Sequence, residues 1–405
     1  MRREHELTTS TGAFTAGEYS TRLARVRELM AADGRDLDAL LVTSPENIYY
    51  LIGLTHQGYF AFTMLVLPRE GNPSLLTRGM EAYTISRQAP DVEHIGYGDD
   101  EDAGSAAVRA MTGLGLSRGR VGVDRSSMFL PAGIWEQLEQ GLPGVQWVET
   151  SRTAGTSARF ETGLVDQVRL VKSDAELVYI RKAASISDRA VSAAMDAAGV
   201  GINEMEVAAV IYREMILGGG EYPGFVPLVR SADTVLQEHS TWRDRHLMPG
   251  DKLFVELSGA SARYHAPLTR MSYVARSDPG AEKAQALAIE AFDAALNALR
   301  PGTDTGSVYD AWQQTVDEGL GHDRLRRHHC GYSVGIGFPP RWVGSSTVLG
   351  IRPGAKVPVE PGMTFHLLSW VTDEDVGDYF ISDTVIVGTD RTEVVTTTPH
   401  RLVLA

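Results

Sequence analysis

Cys330 is the only cysteine in a chain of 405 residues. An internal disulfide is therefore impossible, and so is a thiolate metal cluster within one chain. A lone cysteine of this kind is more often a small buried hydrophobe than a nucleophile. Basic residues are also in short supply: 38 Lys and Arg stand against 52 Asp and Glu, a net charge of −14. That balance argues against nucleic acid or an anionic membrane as a partner and suits a soluble cytoplasmic protein. No run reaches the ~18 apolar residues of a membrane span. The first residues, Met1-Arg-Arg-Glu-His-Glu-Leu7, lack the apolar core of a signal peptide. No His pair has the i, i+4 spacing of a helical zinc motif, and adjacent His328 and His329 would point to opposite faces of an extended segment. What is abundant is apolar side chain, 43% of the chain. That is enough for a full core in one large or two ordinary domains.

Hydrophobic periodicity divides the chain. After a polar start over 1–15, a helix is expected over Gly17–Ala31 and a short buried strand over Leu37–Val42. Asn47–Leu51 reads as a helix entry. Phe60–Pro68, Pro73–Thr77, Arg120–Asp124 and Gln146–Glu149 read as strands, with helices over Ser105–Thr112 and Pro131–Gln140. Strands alternating with helices make this an α/β domain, assigned to residues 1–162. A different regime follows. Ser173 with Glu176 and Asn203 with Glu206 form capping boxes that open two helices. The pattern returns over Ala281–Leu299 and Thr305–Asp317, with Gly201 falling on Gly302. Residues 163–405 are therefore read as one α+β domain of two similar halves, each a helix pair backing part of a shared antiparallel sheet. A site is expected between the halves, where both sets of loops converge.

The stretch Lys252–Ala275 carries the sharpest signal. The Pro249-Gly250-Asp251 turn precedes a strand, a small-residue tip and a second strand. Glu256 stands inside the apolar run Leu253, Phe254, Val255, Leu257. A bare carboxylate there is costly unless it is paired or used, and the plain alternative is that it faces solvent. His239, Tyr264, His265 and Arg270 lie near it in sequence. The second half supplies His328, His329, Tyr332, Arg341, Trp342, His366, Trp370 and Asp383. His, Tyr and a carboxylate suit proton transfer or attack on a polar carbon.

At these residues the chain resembles the pita-bread family of methionine aminopeptidase, prolidase, aminopeptidase P and creatinase. Leu170-Val-Lys-Ser-Asp-Ala-Glu-Leu177 is similar to that family's domain junction, and His239 falls at its active-site histidine. The resemblance implies a creatinase/prolidase-type N-terminal domain and a pita-bread catalytic domain. The family's ligand order is Asp, Asp, His, Glu, Glu. The matching positions here are Glu256, Pro267, Tyr332 (in Gly331-Tyr-Ser-Val-Gly335), Leu368 and Ser382. Pro and Leu offer no ligand, and Tyr and Ser are poor ones for a divalent ion, so no metal or cofactor is expected.

Among metal-free members the strings His239-Ser-Thr-Trp242, Arg263-Tyr-His-Ala-Pro-Leu-Thr-Arg270, Phe338-Pro-Pro-Arg-Trp342 and Pro361-Gly-Met-Thr-Phe-His366 resemble the ectoine hydrolase branch. That branch has an acidic residue where Arg341 stands. The resemblance implies a metal-independent hydrolase acting on a C–N bond of a small cyclic amidine or guanidino compound, or a cyclase running the same reaction in reverse. Glu256 is then the nucleophile or base, His239 the proton shuttle, and Tyr332 a donor to developing charge. Trp242, Tyr264, Trp342 and Trp370 are expected to wall the substrate, and His265, His366 and Arg341 to hold its carboxylate. The resemblance also implies a homodimer in which the N-terminal domain, through Phe60 and Arg78, reaches the partner's site. A creatinase-type amidinohydrolase and a silent small-molecule-binding protein are the alternatives.

Overall fold

Alternation along the Lys252–Ala275 stretch decides how the larger part of the molecule is built. The computed structural model describes residues 12–151, 162–343 and 349–404. Their contacts divide them into two compact units, with the chain passing from one to the other at Arg169 and Leu170. Among the described residues no helix is long and apolar enough to cross a membrane.

In the N-terminal unit, α1 (Ala16–Ala31) leads into β1 (Ala39–Val42) and α2 (Pro45–Ile52), whose N-cap Ser44 accepts from the Asn47 amide. Next come β2 (Met64–Pro68), β3 (Ser74–Arg78), α3 (Ala82–Gln88) and β4 (Glu93–Tyr97). The unit continues with α4 (Ala103–Gly113), β5 (Gly119–Val123), α5 (Ala132–Gly141), β6 (Val145–Glu149) and α6 (Leu164–Leu170). The six strands form one mixed sheet in the order β4-β3-β2-β1-β5-β6. Val66, Leu76, Val121 and Val123 pack with Ala106, Met111 and Leu138 of α4 and α5. The expected strand from Phe60 begins only at Met64, because Gly58–Phe60 is a turn of 3-10 helix. The element Glu93–Tyr97 has too few apolar residues to be read as a strand and is held as one by parallel pairing with β3.

The C-terminal unit opens with α7 (Asp174–Ala197) and α8 (Glu204–Leu217), and both expected capping boxes are formed. The edge strand β7 (Leu228–Ser231) follows, then the hairpin β8 (Lys252–Ser261) and β9 (Tyr264–Val274). The hairpin turns on Ala262 and Arg263, with φ of +47° and +63°. Neither is glycine, and the strained turn is held by the buried Arg263 guanidinium, which donates to the Gly337 carbonyl at 2.6 and 3.1 Å.

After α9 (Ala281–Ala298) and α10 (Thr305–Leu320) come β10 (Gly331–Ser333), β11 (Thr364–Asp373), β12 (Gly377–Val387), β13 (Thr392–Val394) and β14 (Val403–Leu404). The main path of the sheet is β10-β11-β12-β9-β8-β7, antiparallel throughout. The two halves are evident. α8 and α10 each begin three residues after a left-handed glycine, Gly201 at φ +85° and Gly302 at φ +87°. Leu253, Val255 and Leu257 turn one face of β8 to α7 and α8. Phe254 turns the other way, toward Met271, Tyr273, Leu368 and Trp370. Period-two alternation places Glu256 on that second face.

Candidate active site

The second face of the sheet floors a cavity of about 380 Å³ whose lining side chains belong to the C-terminal unit. One cross-strand row runs beneath it: Leu228 opposite Glu256, Glu256 opposite Thr269, Thr269 opposite Ser382, and Ser382 opposite Leu368. Directly opposed residues share a face. Glu256 is the sole ionisable member of this row. It is 5% exposed, and its carboxyl makes no hydrogen bond among the described residues. Desolvation pushes its pKa up to about 7, against the pull of the Arg230 guanidinium and with a further push from Glu238. A carboxyl tuned to neutral pH and open to a cavity is a group poised to exchange a proton or attack.

His239 stands over this floor on the loop after β7. Its backbone is left-handed, φ +56°, and its exposed ring lies against the Phe225 ring with centroids 6.0 Å apart. Non-glycine residues held there are uncommon and concentrate at functional loops. Trp342 and Tyr332 form another wall. The Trp342 Nε1–H donates to the Tyr332 hydroxyl at 3.0 Å, and that hydroxyl meets His366 Nδ1 at 2.9 Å. His366 Nε2 meets Ser382 Oγ at 2.5 Å. Burial raises the Tyr332 phenol, with Glu256 adding to the effect, and lowers His366 to about 3. The histidine is thus neutral, and the Tyr332 hydroxyl is held by two partners at the cavity wall.

Glu256, His239, Tyr332, Arg341, Trp342 and Trp370 come together on this cavity. Other expected site residues do not. His265 lies on the same sheet face as Thr269 but four residues along β9, about 13 Å at strand rise. Its Nε2 accepts from the Gly224 amide at 2.8 Å, and its Nδ1–H donates to the Arg263 carbonyl at 2.8 Å. Both nitrogens are spent on main chain, and burial lowers the ring to about 3. His366 is likewise spent on Tyr332 and Ser382, so neither histidine offers an N–H to a substrate carboxylate. Tyr264 points to the helix face, donating to Glu176 at 2.7 Å. Trp242 packs on Tyr212 at 6.0 Å and on the α7–α8 core. Phe60 and Arg78 belong to the N-terminal unit, where Arg78 pairs with Asp99 at 2.6 Å and lies 5.9 Å from the Phe60 ring.

The cavity also collects residues outside the expected site: Glu238, Arg327, His328 and His329, with apolar Phe225 and Leu228. An extended segment would splay the 328–329 rings, which counts against the pair as joint metal ligands. The backbone there is irregular, and the rings lie 4.2 Å apart on the same wall. The adjacency of Arg327, His328 and His329 was the signal available.

The sequence profile of metallopeptidase family M24 matches residues 178–389, more than half of the chain, and the creatinase/prolidase N-terminal domain matches residues 22–171. The chain belongs to family M24. An M24-family relative, the ectoine hydrolase of Halomonas elongata, is 28% identical over 407 aligned positions covering 96% of this chain and 98% of its own. A putative dipeptidase of Bacillus subtilis, YkvY, is 25% identical and covers 95% of this chain and 99% of its own. Among solved structures, the dipeptidase PepE of Mycobacterium ulcerans superposes with a TM-score of 0.79 at 25% identity, over 97% of this chain and all of its own. The prolidase of Thermococcus sibiricus superposes with a TM-score of 0.81 at 19% identity, over 95% and 98%. The protein is a hydrolase of family M24 with a creatinase-type N-terminal domain and a pita-bread C-terminal domain.

A metallopeptidase name implies a metal, and the residues at the expected ligand positions do not fit one. Leu368 and Pro267 carry no donor atom, Ser382 Oγ is engaged by His366, and the Tyr332 hydroxyl is engaged on two sides. Glu256 is the remaining carboxylate of the set. Among the described residues no group of three or more His, Cys, Asp or Glu is arranged to hold a metal ion.

Proposed function

We propose that this hydrolase opens a small cyclic amidine, an ectoine-like ring being the first candidate, without a metal ion. The observation that carries the reading is the state of Glu256. It is a buried carboxyl with no hydrogen-bond partner among the described residues, alone on the floor row of a cavity sized for a small ring. A protonated amidine is the natural complement, since its two N–H groups match the two oxygens of a carboxylate and orient the ring. Ion pairing returns Glu256 to its ionised form. The carboxylate then either bonds to the amidine carbon or removes a proton from a water that does so. The electron pair of the C=N bond moves to nitrogen. The C–N bond to the leaving nitrogen then breaks as that nitrogen takes a proton through His239. One water is consumed, directly or in resolving the covalent ester, and a ring-opened amide with a free amine remains. Tyr332 stands beside the developing charge, Trp342 and Trp370 wall the ring, and Arg341 holds a carboxylate that the substrate carries.

The 28% identity to an ectoine hydrolase favours this reading over a peptidase, because the floor row lacks the carboxylates on which a two-metal site is built. In the same proposal the enzyme is a cytoplasmic homodimer whose N-terminal unit completes the partner's site with Phe60 and Arg78. The test is turnover of an amidine panel by metal-stripped enzyme and by the Glu256→Gln and His239→Ala variants. Wild-type turnover that vanishes on chelation, or that survives in both variants, sinks the proposal. Light scattering that finds a monomer removes the dimer.

A further inference from the structure

Arg230 is a buried cation to which the proposed chemistry gives no task. It lies on the edge strand β7, 1% exposed, directly opposite Phe254. Opposed residues share a face, so Arg230 belongs to the cavity face together with Leu228 and Glu256. Its guanidinium carbon lies 3.8 Å from the Phe254 ring centroid, and Trp370 meets that ring edge-on at 5.4 Å. Stacking on an aromatic face fixes a guanidinium in place while keeping its charge. Burying such a charge is costly, and side chains of this kind are seldom fully buried without a purpose. On the reading that Glu256 and His239 are the reacting pair, we propose that Arg230 is the positioning residue of this site: it tethers the loop that carries His239 and turns a positive charge toward Glu256.

The tether is visible in the hydrogen bonds. Arg230 Nη1 donates to the carbonyl of Gln237, two residues before His239. The same carbonyl accepts from the Ser240 hydroxyl at 3.0 Å, so Gln237 and Ser240 close a turn around Glu238 and His239. Thr241 Oγ1 donates to the Pro227 carbonyl at 2.6 Å and ties the far end of the turn to the start of β7. His239 sits inside this turn at φ +56°, a conformation that a non-glycine residue keeps only where its surroundings impose it. A charge-assisted bond from a fixed guanidinium is well suited to impose it. The charge follows from strand register. Glu256 stands opposite Leu228, so Arg230 is its diagonal neighbour on the same face. Diagonal neighbours are roughly 7–8 Å apart, within reach of long side chains. The Arg230 charge favours the ionised carboxylate, Glu238 opposes it from the loop after β7, and Arg327 assists from the loop after α10. His239, His328, His329, Tyr332 and Arg341 are the other titratable groups that line the cavity among the described residues. A cation bonded to the carboxylate would occupy its oxygens, whereas one a diagonal step away leaves them to the substrate.

Two readouts that need no substrate test this in the full-length protein. The first is infrared titration of the protonated Glu256 carboxyl, its C=O band assigned by its loss in Glu256→Gln. The midpoint, expected near 7 in wild type, should move up by about 1 in Arg230→Gln and stay close to wild type in Arg230→Lys, which keeps the charge. The second is hydrogen exchange of the Ser240 amide, which should be on the order of tenfold faster in Arg230→Gln, whose side chain is too short to reach Gln237. An unmoved midpoint overturns the proposal. So does a midpoint that moves equally in the Lys and Gln variants, and so does unchanged exchange. Arg230→Met carries the same two expectations if Arg230→Gln does not fold. Both shifts without turnover of any amidine leave the role of Arg230 standing and remove the reaction reading. Amidine turnover with neither shift does the reverse.

Discussion

The two long hairpins of the C-terminal unit share an architecture and differ in what they leave unsatisfied. In the first, β8–β9, Glu256 faces the cavity with no hydrogen bond among the described residues and a pKa raised by burial to about 7. In the second, β11–β12, no residue on the same face is ionised: the side chains are apolar or hydrogen-bonded, apart from the indole N–H of Trp370. Leu368 and Trp370 supply walls, and His366 is locked between Tyr332 and Ser382. Asp383, on the opposite parity of β12, is buried against Arg270 at 2.6 Å and also accepts from Thr396 at 2.8 Å. A duplicated fold thus gives one half reactive chemistry and the other half shape. An unpaired carboxyl is costly to stability and useful to catalysis, whereas a saturated network is rigid and inert.

That contrast can be broken in order of expected effect. Glu256→Gln removes the reactive group and should lower kcat for an amidine substrate on the order of a thousandfold or more, measured in steady state. In wild type, kcat/KM should rise with pH to a plateau above about 7, where the free carboxyl ionises. A flat profile would remove Glu256 as base or nucleophile. Asp383→Asn, on the saturated side, should act through stability instead. It strands the buried Arg270 guanidinium at a cost of roughly 3–5 kcal/mol in denaturant unfolding, with kcat largely kept in the fraction that stays folded.

The next effect has the opposite sign. The folded-state pKa of Glu256, about 7, lies above its ordinary value of 4.5. The stability this group contributes is therefore present below pH 4.5 and lost as pH rises through about 7. Glu256→Gln should consequently be more stable than wild type at pH 8 by an amount on the order of 3 kcal/mol. The difference should vanish near pH 4. An equal stability difference at both pH values would show that the carboxyl is not desolvated. Smallest is Trp342→Phe, which removes one of the two partners of the Tyr332 hydroxyl. It should cost about 1 kcal/mol, or less than tenfold in kcat. A larger loss would mean that the indole N–H, and not only the aromatic face, serves the substrate.

Much of the frame was legible because it rests on local rules. The capping boxes at Ser173 and Asn203 form as read, and the glycine pair Gly201 and Gly302 marks the internal repeat. Glu256 was legible because a lone carboxylate in an apolar alternating run must face something other than the core. The strand Glu93–Tyr97 was not, since it owes its conformation to pairing with β3 rather than to its own composition. The same contrast governs the site. Sequence separates faces by parity but not position along a strand, so His265 and Glu256 share a face while the hairpin carries His265 to its far end. Parity also puts His366 with Leu368 and Trp370, yet Tyr332 on the neighbouring strand covers it.

By itself the sequence determined the two-part construction, the repeated helix pairs and the placing of one awkward carboxylate among apolar neighbours. These follow from periodicity, caps and the cost of burying charge, which act within a few residues. Only the tertiary structure decided which histidines are spent and which are open, and that Arg327, His328 and His329 join the cavity of Glu256. Those outcomes depend on which atoms meet across strands and loops far apart in the chain. Whether a polar group is satisfied is a property of its neighbours in space.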